Sequence, residues 1–326
     1  MPDILSSPQL SIRCSCARLY QFYHACINEA NTGMSGGILD TWRTWSDRGV
    51  VAVFIMDAHC DTLLDIAAGR RRLAERDKGG HIDLPRMVEG GVSSQVFAIY
   101  VEPEYLPGAG ARQALRLVDV FCREIEENGD SIVFATRAGD VGRARDEGKI
   151  AAFLSIEGGE ALDGSIELLR IFYRLGVRLM TLTWSRRNEL GDGAYEEGTH
   201  GGLTRFGVSV VREMDRLGMV VDVSHLSEAT FWHVMDVSTK PLIASHSNAR
   251  TLCAHSRNLR DEQAKAIADR GGVIGVTFVG PFLGEGRQSV QGVADHIDHF
   301  AGVIGTDHIA IGSDFDGVSD NALPEG

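Results

Sequence analysis

A handful of histidines and carboxylates in this 326-residue chain sit where short apolar runs stop. Asp57-Ala-His59-Cys-Asp61 closes a run that begins at Val51. In an extended strand His59 and Asp61 share one face, and Cys60 points to the other. Glu157 ends Leu154-Ser-Ile-Glu157, His225 ends Val221-Asp-Val-Ser-His225, and His246 ends Ile243-Ala-Ser-His246. Asp314 and Asp316 follow Ile311-Gly-Ser. Two histidines from separate strands, a His-x-Asp pair and a lone glutamate make a mixed nitrogen–oxygen donor set. Such a set suits zinc, with manganese, cobalt and iron as competitors. Two neighbouring divalent ions need an anionic bridge, which in many barrel hydrolases is a carbamylated lysine. Here the four lysines, Lys78, Lys149, Lys240 and Lys265, avoid every strand tip, which leaves Glu157 as the bridge. His59 and Asp61 then complete one metal site and His225 and His246 the other, so the expected cofactor is a pair of divalent ions, zinc first. Taken singly, each residue reads blandly: a strand histidine is usually a hydrogen-bonded core residue, and a buried glutamate is usually ion-paired. Their joint placement on strand tips is what points to metal. His233, His255, His296 and His299, on helices or loops, read as ordinary hydrogen-bonded residues. Asp57 and Asp222, just before the tips, fit equally as partners that orient the histidines or as capping and loop residues.

The elements that must position these groups follow a rhythm from residue 51 onwards. Apolar, β-branched runs recur at Val51–His59, Ser94–Val101, Ile150–Glu157, Val177–Trp184, Met219–His225, Pro241–His246, Gly272–Phe278 and His308–Asp314. Between them lie segments of helical spacing, the clearest being Leu203, Phe206, Val210, Val211, Met214 and Leu217. Alternating strands and helices imply parallel pairing with crossover helices, and eight such units predict an α/β fold, a (β/α)8 TIM-type barrel. In that fold the C-terminal strand ends ring the mouth where catalytic groups gather. A doubly wound sheet is the runner-up, but neither GxGxxG nor GxxxxGK[ST] occurs. Few residues follow Asp314, so the barrel is expected to lack its C-terminal closing helices.

Composition narrows the function classes. Glycine is high at 38 residues, which fits many tight strand-to-helix turns. The formal charge of −13 argues against a nucleic-acid partner. No apolar run reaches the roughly 18 residues that span a bilayer, so no membrane partner is expected. The six cysteines are scattered without zinc-finger or redox spacing, and the expected compartment is the cytoplasm. Residues 1–50 lack the strand rhythm and are expected to form a poorly structured leader, or to reflect a start placed too early. Residues 51–326 are expected to form the metal-dependent barrel. Gly33-Met-Ser35-Gly-Gly37 matches the GxSxG nucleophile elbow in letters only, because no strand precedes it.

These motifs, together with Ile156-Glu157-Gly-Gly, Ser245-His246-Ser, Ser256-Arg257-Asn258 and Gly312-Ser-Asp314-Phe-Asp-Gly317, resemble the renal (membrane) dipeptidase family of zinc peptidases in the amidohydrolase superfamily. The match runs in order over about residues 55 to 320. The resemblance implies a binuclear-zinc barrel that hydrolyses small dipeptide substrates, and it leans towards a homodimer. It assigns His59 and Asp61 to one zinc, His225 and His246 to the other, and Glu157 to both. It also implies that Asp314 exchanges protons with the attacking water and that Arg257 holds the substrate carboxylate, a task suited to a planar bidentate fork. One departure bears on substrate binding. Trp184 stands where vertebrate members carry a histidine that contacts the substrate and the developing oxyanion; its indole N–H supplies one hydrogen bond, with Arg186, Arg187 and Asn188 nearby to compensate. Other readings of the same site are a different amide hydrolase, acting on N-acyl amino acids or lactams, and a catalytically silent metal-binding scaffold.

Overall fold

The computed structural model describes residues 54–325 apart from 77, 78 and 287, so the expected leader and its GxSxG sequence lie outside the described residues. Nine strands occur among the described residues: β1 (Met56–Cys60), β2 (Ser94–Tyr100), β3 (Ile132–Phe134), β4 (Ile150–Glu157), β5 (Val177–Thr181), β6 (Val220–Asp222), β7 (Ile243–Ala244), β8 (Val273–Val276) and β9 (Ile309–Ile311). Every pairing between them is parallel. β1 pairs with both β2 and β9, and β2 pairs with β4, so eight strands close in the order β1-β2-β4-β5-β6-β7-β8-β9. This is the expected (β/α)8 barrel. The addition is β3, which pairs with Ile150–Ala152 on the side of β4 that β5 takes over from Leu154.

Helices pack around the strands: α1 (Thr62–Ala67), α2 (Leu84–Gly90), α3 (Gly110–Glu127), α4 (Ala138–Asp146), α5 (Ile166–Arg174), α6 (Arg205–Leu217), α7 (Glu228–Val237), α8 (Asp261–Asp269), α9 (Gly280–Leu283) and α10 (Val290–Ile304). Helix α6 shows why the sequence folds this way. The Thr204 side chain accepts from the Gly207 amide at its start, Val210, Val211 and Met214 form the buried stripe, and Gly218 ends it in the left-handed conformation. The main core joins strand residues such as Phe97, Leu154 and Ile156 to helix residues such as Phe121, Phe172, Met214 and Phe300. A smaller cluster of Ala58, Val96, Leu179 and Ile243 is built from strands alone and fills the barrel. After β9, the described residues hold one short 3-10 turn, Asp320–Ala322. No helix among the described residues is long and apolar enough to cross a membrane.

Candidate metal centre

The strand tips bring the expected groups together. His59, near the end of β1, has its Nε2 3.3 Å from Asp61 Oδ2, 3.7 Å from Glu157 Oε2 and 3.8 Å from Asp314 Oδ1. On the other side, Glu157 Oε1 lies 2.9 Å from His225 Nε2 and 3.6 Å from His246 Nε2. The two oxygens of Glu157 thus face different histidines. His59, Glu157 and His246 form one group whose donor atoms could hold a metal ion, and His59, Asp61 and Asp314 form another. Asp314, expected only as a proton carrier, therefore also lies within ligand reach. Asp61 is already past the strand: it caps α1, and its amide donates to the Phe315 carbonyl at 2.9 Å. His225 and Asp314 both hold a left-handed backbone, φ 67° and 62°. For residues other than glycine this costs on the order of 1 kcal/mol, and it re-aims each side chain at the end of its strand. Gly317 lets the loop pass close by, because a Cβ there would run into the carboxylates of Asp61 and Asp314.

All six groups are buried or nearly so, and their electrostatics ask for positive charge. Burial pushes Glu157 well above the ordinary carboxylate range, and Asp61 adds to the rise. Burial also raises Asp314, to about 6. His59 loses stability as a cation by burial, but Glu157, Asp61 and Asp314 outweigh that and push it up to about 10. His225 and His246 are driven well below the normal imidazole range by burial, so both are neutral. Their Nε2 atoms nevertheless face each other at 2.7 Å, while each Nδ1 meets a serine hydroxyl, Ser185 and Ser245, at 2.8 Å. Asp61 Oδ1 is buried without a hydrogen-bond partner. Unpartnered carboxylate oxygen, three clustered carboxylates and imidazole nitrogens turned towards each other are what divalent cations would satisfy. The donor set fits divalent metal.

The neighbouring residues divide into those that face this centre and those committed elsewhere. Arg257 is 3% exposed, its Nη2 donates to the His246 carbonyl at 3.1 Å, its Nε has no hydrogen-bond partner, and the Phe282 ring centre lies 5.5 Å away. Trp184 is half-buried, with ring centres of Tyr100, His225 and Tyr195 at 5.8, 5.9 and 6.4 Å. Arg187 and Asn188 do not compensate for the missing histidine. Arg187 pairs with Asp192 at 2.5 Å, and Asn188 donates to the Leu182 carbonyl and accepts from the Leu190 amide. His296 and His299 are hydrogen-bonded away from the centre, as expected of ordinary histidines. Three serines went unread in the sequence: Ser185, Ser245 and Ser313 hold the site through their hydroxyls. Two of them stand immediately before a tip residue, His246 or Asp314, and that adjacency is the signal that could have marked them.

A closed parallel barrel with histidines and carboxylates converging at the C-terminal ends of its strands defines the class of barrel proteins that carry a polar, metal-ligating mouth. The chain belongs to the membrane dipeptidase family, peptidase family M19, whose family model matches residues 48–325. It is 37% identical over 255 residues to the dipeptidase tcpJ of Claviceps purpurea, covering 74% of this chain and 60% of that relative. An uncharacterized dipeptidase of Schizosaccharomyces pombe is 38% identical over 255 residues, covering 73% of this chain and 61% of that one. The chain thus spans about three-fifths of the length of these curated relatives. Among solved structures, a metallopeptidase from Rhodobacter sphaeroides bound to a phosphinate mimic of the dipeptide L-Ala-D-Ala is similar, with a TM-score of 0.76 and 30% identity over 84% of this chain and 88% of that one. The dipeptidase AC, a family M19 metallopeptidase, is similar at a TM-score of 0.78 and 32% identity over 84% and 87% of the two chains.

Proposed function

We propose that this chain hydrolyses dipeptides at a centre of two divalent ions, zinc first among them, held by His59, Asp61, Glu157, His225 and His246. The observation that carries this reading is Glu157, whose Oε2 faces His59 at 3.7 Å while its Oε1 faces His225 at 2.9 Å. A carboxylate so placed suits a bridge between two ions. The dipeptidase relatives and the similar metallopeptidase bound to a dipeptide mimic support the substrate class. Divalent ions held there would supply Lewis acidity and lower the pKa of a water towards neutrality.

The chain's own residues do the rest. Arg257 takes the free C-terminal carboxylate, its buried fork already stripped of water and tethered to the His246 carbonyl. That contact fixes the length from carboxylate to scissile bond and so selects the C-terminal peptide bond of the substrate. Asp314 accepts the proton of the attacking water and returns it to the leaving amine. Trp184, flanked by Tyr100 and Tyr195, gives the mouth an aromatic side and one indole N–H. Free thiols at Cys60, Cys122 and Cys253 suit a reducing compartment, and we place the protein in the cytoplasm.

The test is elemental analysis of the purified protein combined with a panel of dipeptides, N-acyl amino acids and lactams. Two ions per chain and turnover of dipeptides are expected. Turnover confined to N-acyl amino acids or lactams would replace the substrate class, and full metal content with no turnover of any amide would make the chain a silent scaffold.

A further inference from the structure

Asp222 ends β6 with its carboxylate buried and fully engaged. It accepts from the Thr181 hydroxyl at 2.7 Å and the Ser224 amide at 3.0 Å. It also accepts from both the amide and the hydroxyl of Ser245, at 3.0 and 2.5 Å, just beyond the end of β7. The same Ser245 oxygen lies 2.8 Å from His246 Nδ1. A hydroxyl has one proton to give, and a carboxylate is a stronger acceptor than a neutral imidazole nitrogen. The Ser245 proton therefore goes to Asp222, and the Ser245 oxygen must accept from His246 Nδ1–H. A neutral imidazole carries a single N–H, so the Nε2 of His246 keeps its lone pair. Nε2 is the atom that faces His225 and Glu157.

We propose that Asp222 and Ser245 are positioning residues that lock the tautomer of His246, holding its proton on Nδ1 and presenting the Nε2 lone pair to the cluster. A second pair of strands carries the same clasp. Asp57, on β1, accepts from the amide and hydroxyl of Ser313 at 2.9 and 2.6 Å, beyond the end of β9, and from the amide two residues on, His59, at 3.3 Å. Ser313 precedes Asp314 as Ser245 precedes His246. Both clasps tie neighbouring strand tips together, but only that of Asp222 ends on an imidazole, so only it sets a tautomer.

The role of the lock in metal binding rests on the proposed metal centre, whereas the tautomer itself is measured in metal-free protein by nitrogen-15 NMR of the histidine rings. In the wild type, His246 carries its proton on Nδ1. Asp222→Asn frees the Ser245 hydroxyl to donate to Nδ1, so His246 shifts to the Nε2–H form and zinc affinity falls about 10- to 100-fold. Ser245→Ala removes the relay while leaving Asp222 its bonds to Thr181 and Ser224, and it gives the same two changes even if Asp222→Asn fails to fold. Thr181→Val removes a hydrogen bond from the same carboxylate with no route to His246; it lowers the melting temperature and leaves tautomer and affinity unchanged. An unaltered His246 tautomer in Ser245→Ala, or an equal loss of zinc affinity in Thr181→Val, overturns the lock. A shifted tautomer in a chain whose wild type binds no zinc keeps the lock and refutes the metal centre instead.

Discussion

Replacing Arg257 with alanine separates a substrate contact from a structural one. The residue is 3% exposed, its guanidinium is held from behind by the His246 carbonyl at 3.1 Å, and its Nε awaits a partner. A substrate carboxylate meeting this fork would form two charge-assisted hydrogen bonds, each contributing about 1.5–3 kcal/mol. Taking the lower part of that range, because Nη2 already shares itself with the His246 carbonyl, gives about 3–4 kcal/mol for the pair, or roughly 10²- to 10³-fold in kcat/KM. The assay compares a dipeptide with its C-terminal amide on wild type and Arg257→Ala. Wild type should lose roughly that factor on going to the amide. The variant should lose it on the dipeptide, chiefly through KM, and change little on the amide, which never had the contact. Arg257→Lys should fall between, keeping the charge but losing the planar fork. Metal content is measured in parallel, because Arg257 also tethers the residue carrying the His246 ring. If Arg257→Ala lowers turnover of dipeptide and amide alike, the residue supports the His246 loop and does not hold substrate.

Glu157→Gln should reduce the occupancy of both metal positions together, since an amide brings no charge to either; loss of one ion with the other at full occupancy in elemental analysis would contradict a bridge. Asp314→Asn should lower kcat by about 10² to 10⁴, the range of a positioned acid–base group, and leave KM nearly in place. If it strips the metal instead, Asp314 acts as a ligand. On α6, Glu213 is held at a pKa of about 2 by hydrogen bonds from Arg216 and Arg170. A depressed carboxylate stabilises the fold above its unfolded value and loses that contribution as pH falls towards the folded one. The arginines are partly exposed, so we discount the effect to about 1–2 kcal/mol. Glu213→Gln should therefore lower the melting temperature by about 3 °C at pH 7, and by progressively less from pH 4.5 down to 2. A variant lacking residues 1–50 should keep its melting temperature and metal content, because it retains the Ile55 carbonyl that accepts from the Ser93 and Ser94 amides.

The sequence alone determined the barrel and singled out the strand-tip residues that the structure brings together at its mouth, for a local reason. Parallel strands buried on both faces must be apolar, so a histidine or carboxylate where each run stops stands out, and His59, Asp61, Glu157, His225 and His246 could be read one strand at a time. Only the tertiary structure decided how they meet. β3 has three residues, too few for any period, and exists because the edge of β4 below Leu154 was open to pair. The left-handed backbone of His225 and Asp314, which both residue types tolerate better than most but which still costs energy without glycine, is held by the loops around them. Asp222 and Ser245 lie 23 residues apart and Asp57 and Ser313 lie 256 apart, so no local pattern could join them. Arg187 and Asn188 looked available by position, yet the loop consumes both in its own hydrogen bonds. Residue types set which chemistry the mouth could carry; the closing of the barrel, which makes distant strand tips neighbours and excludes water from between them, decided which atoms face one another.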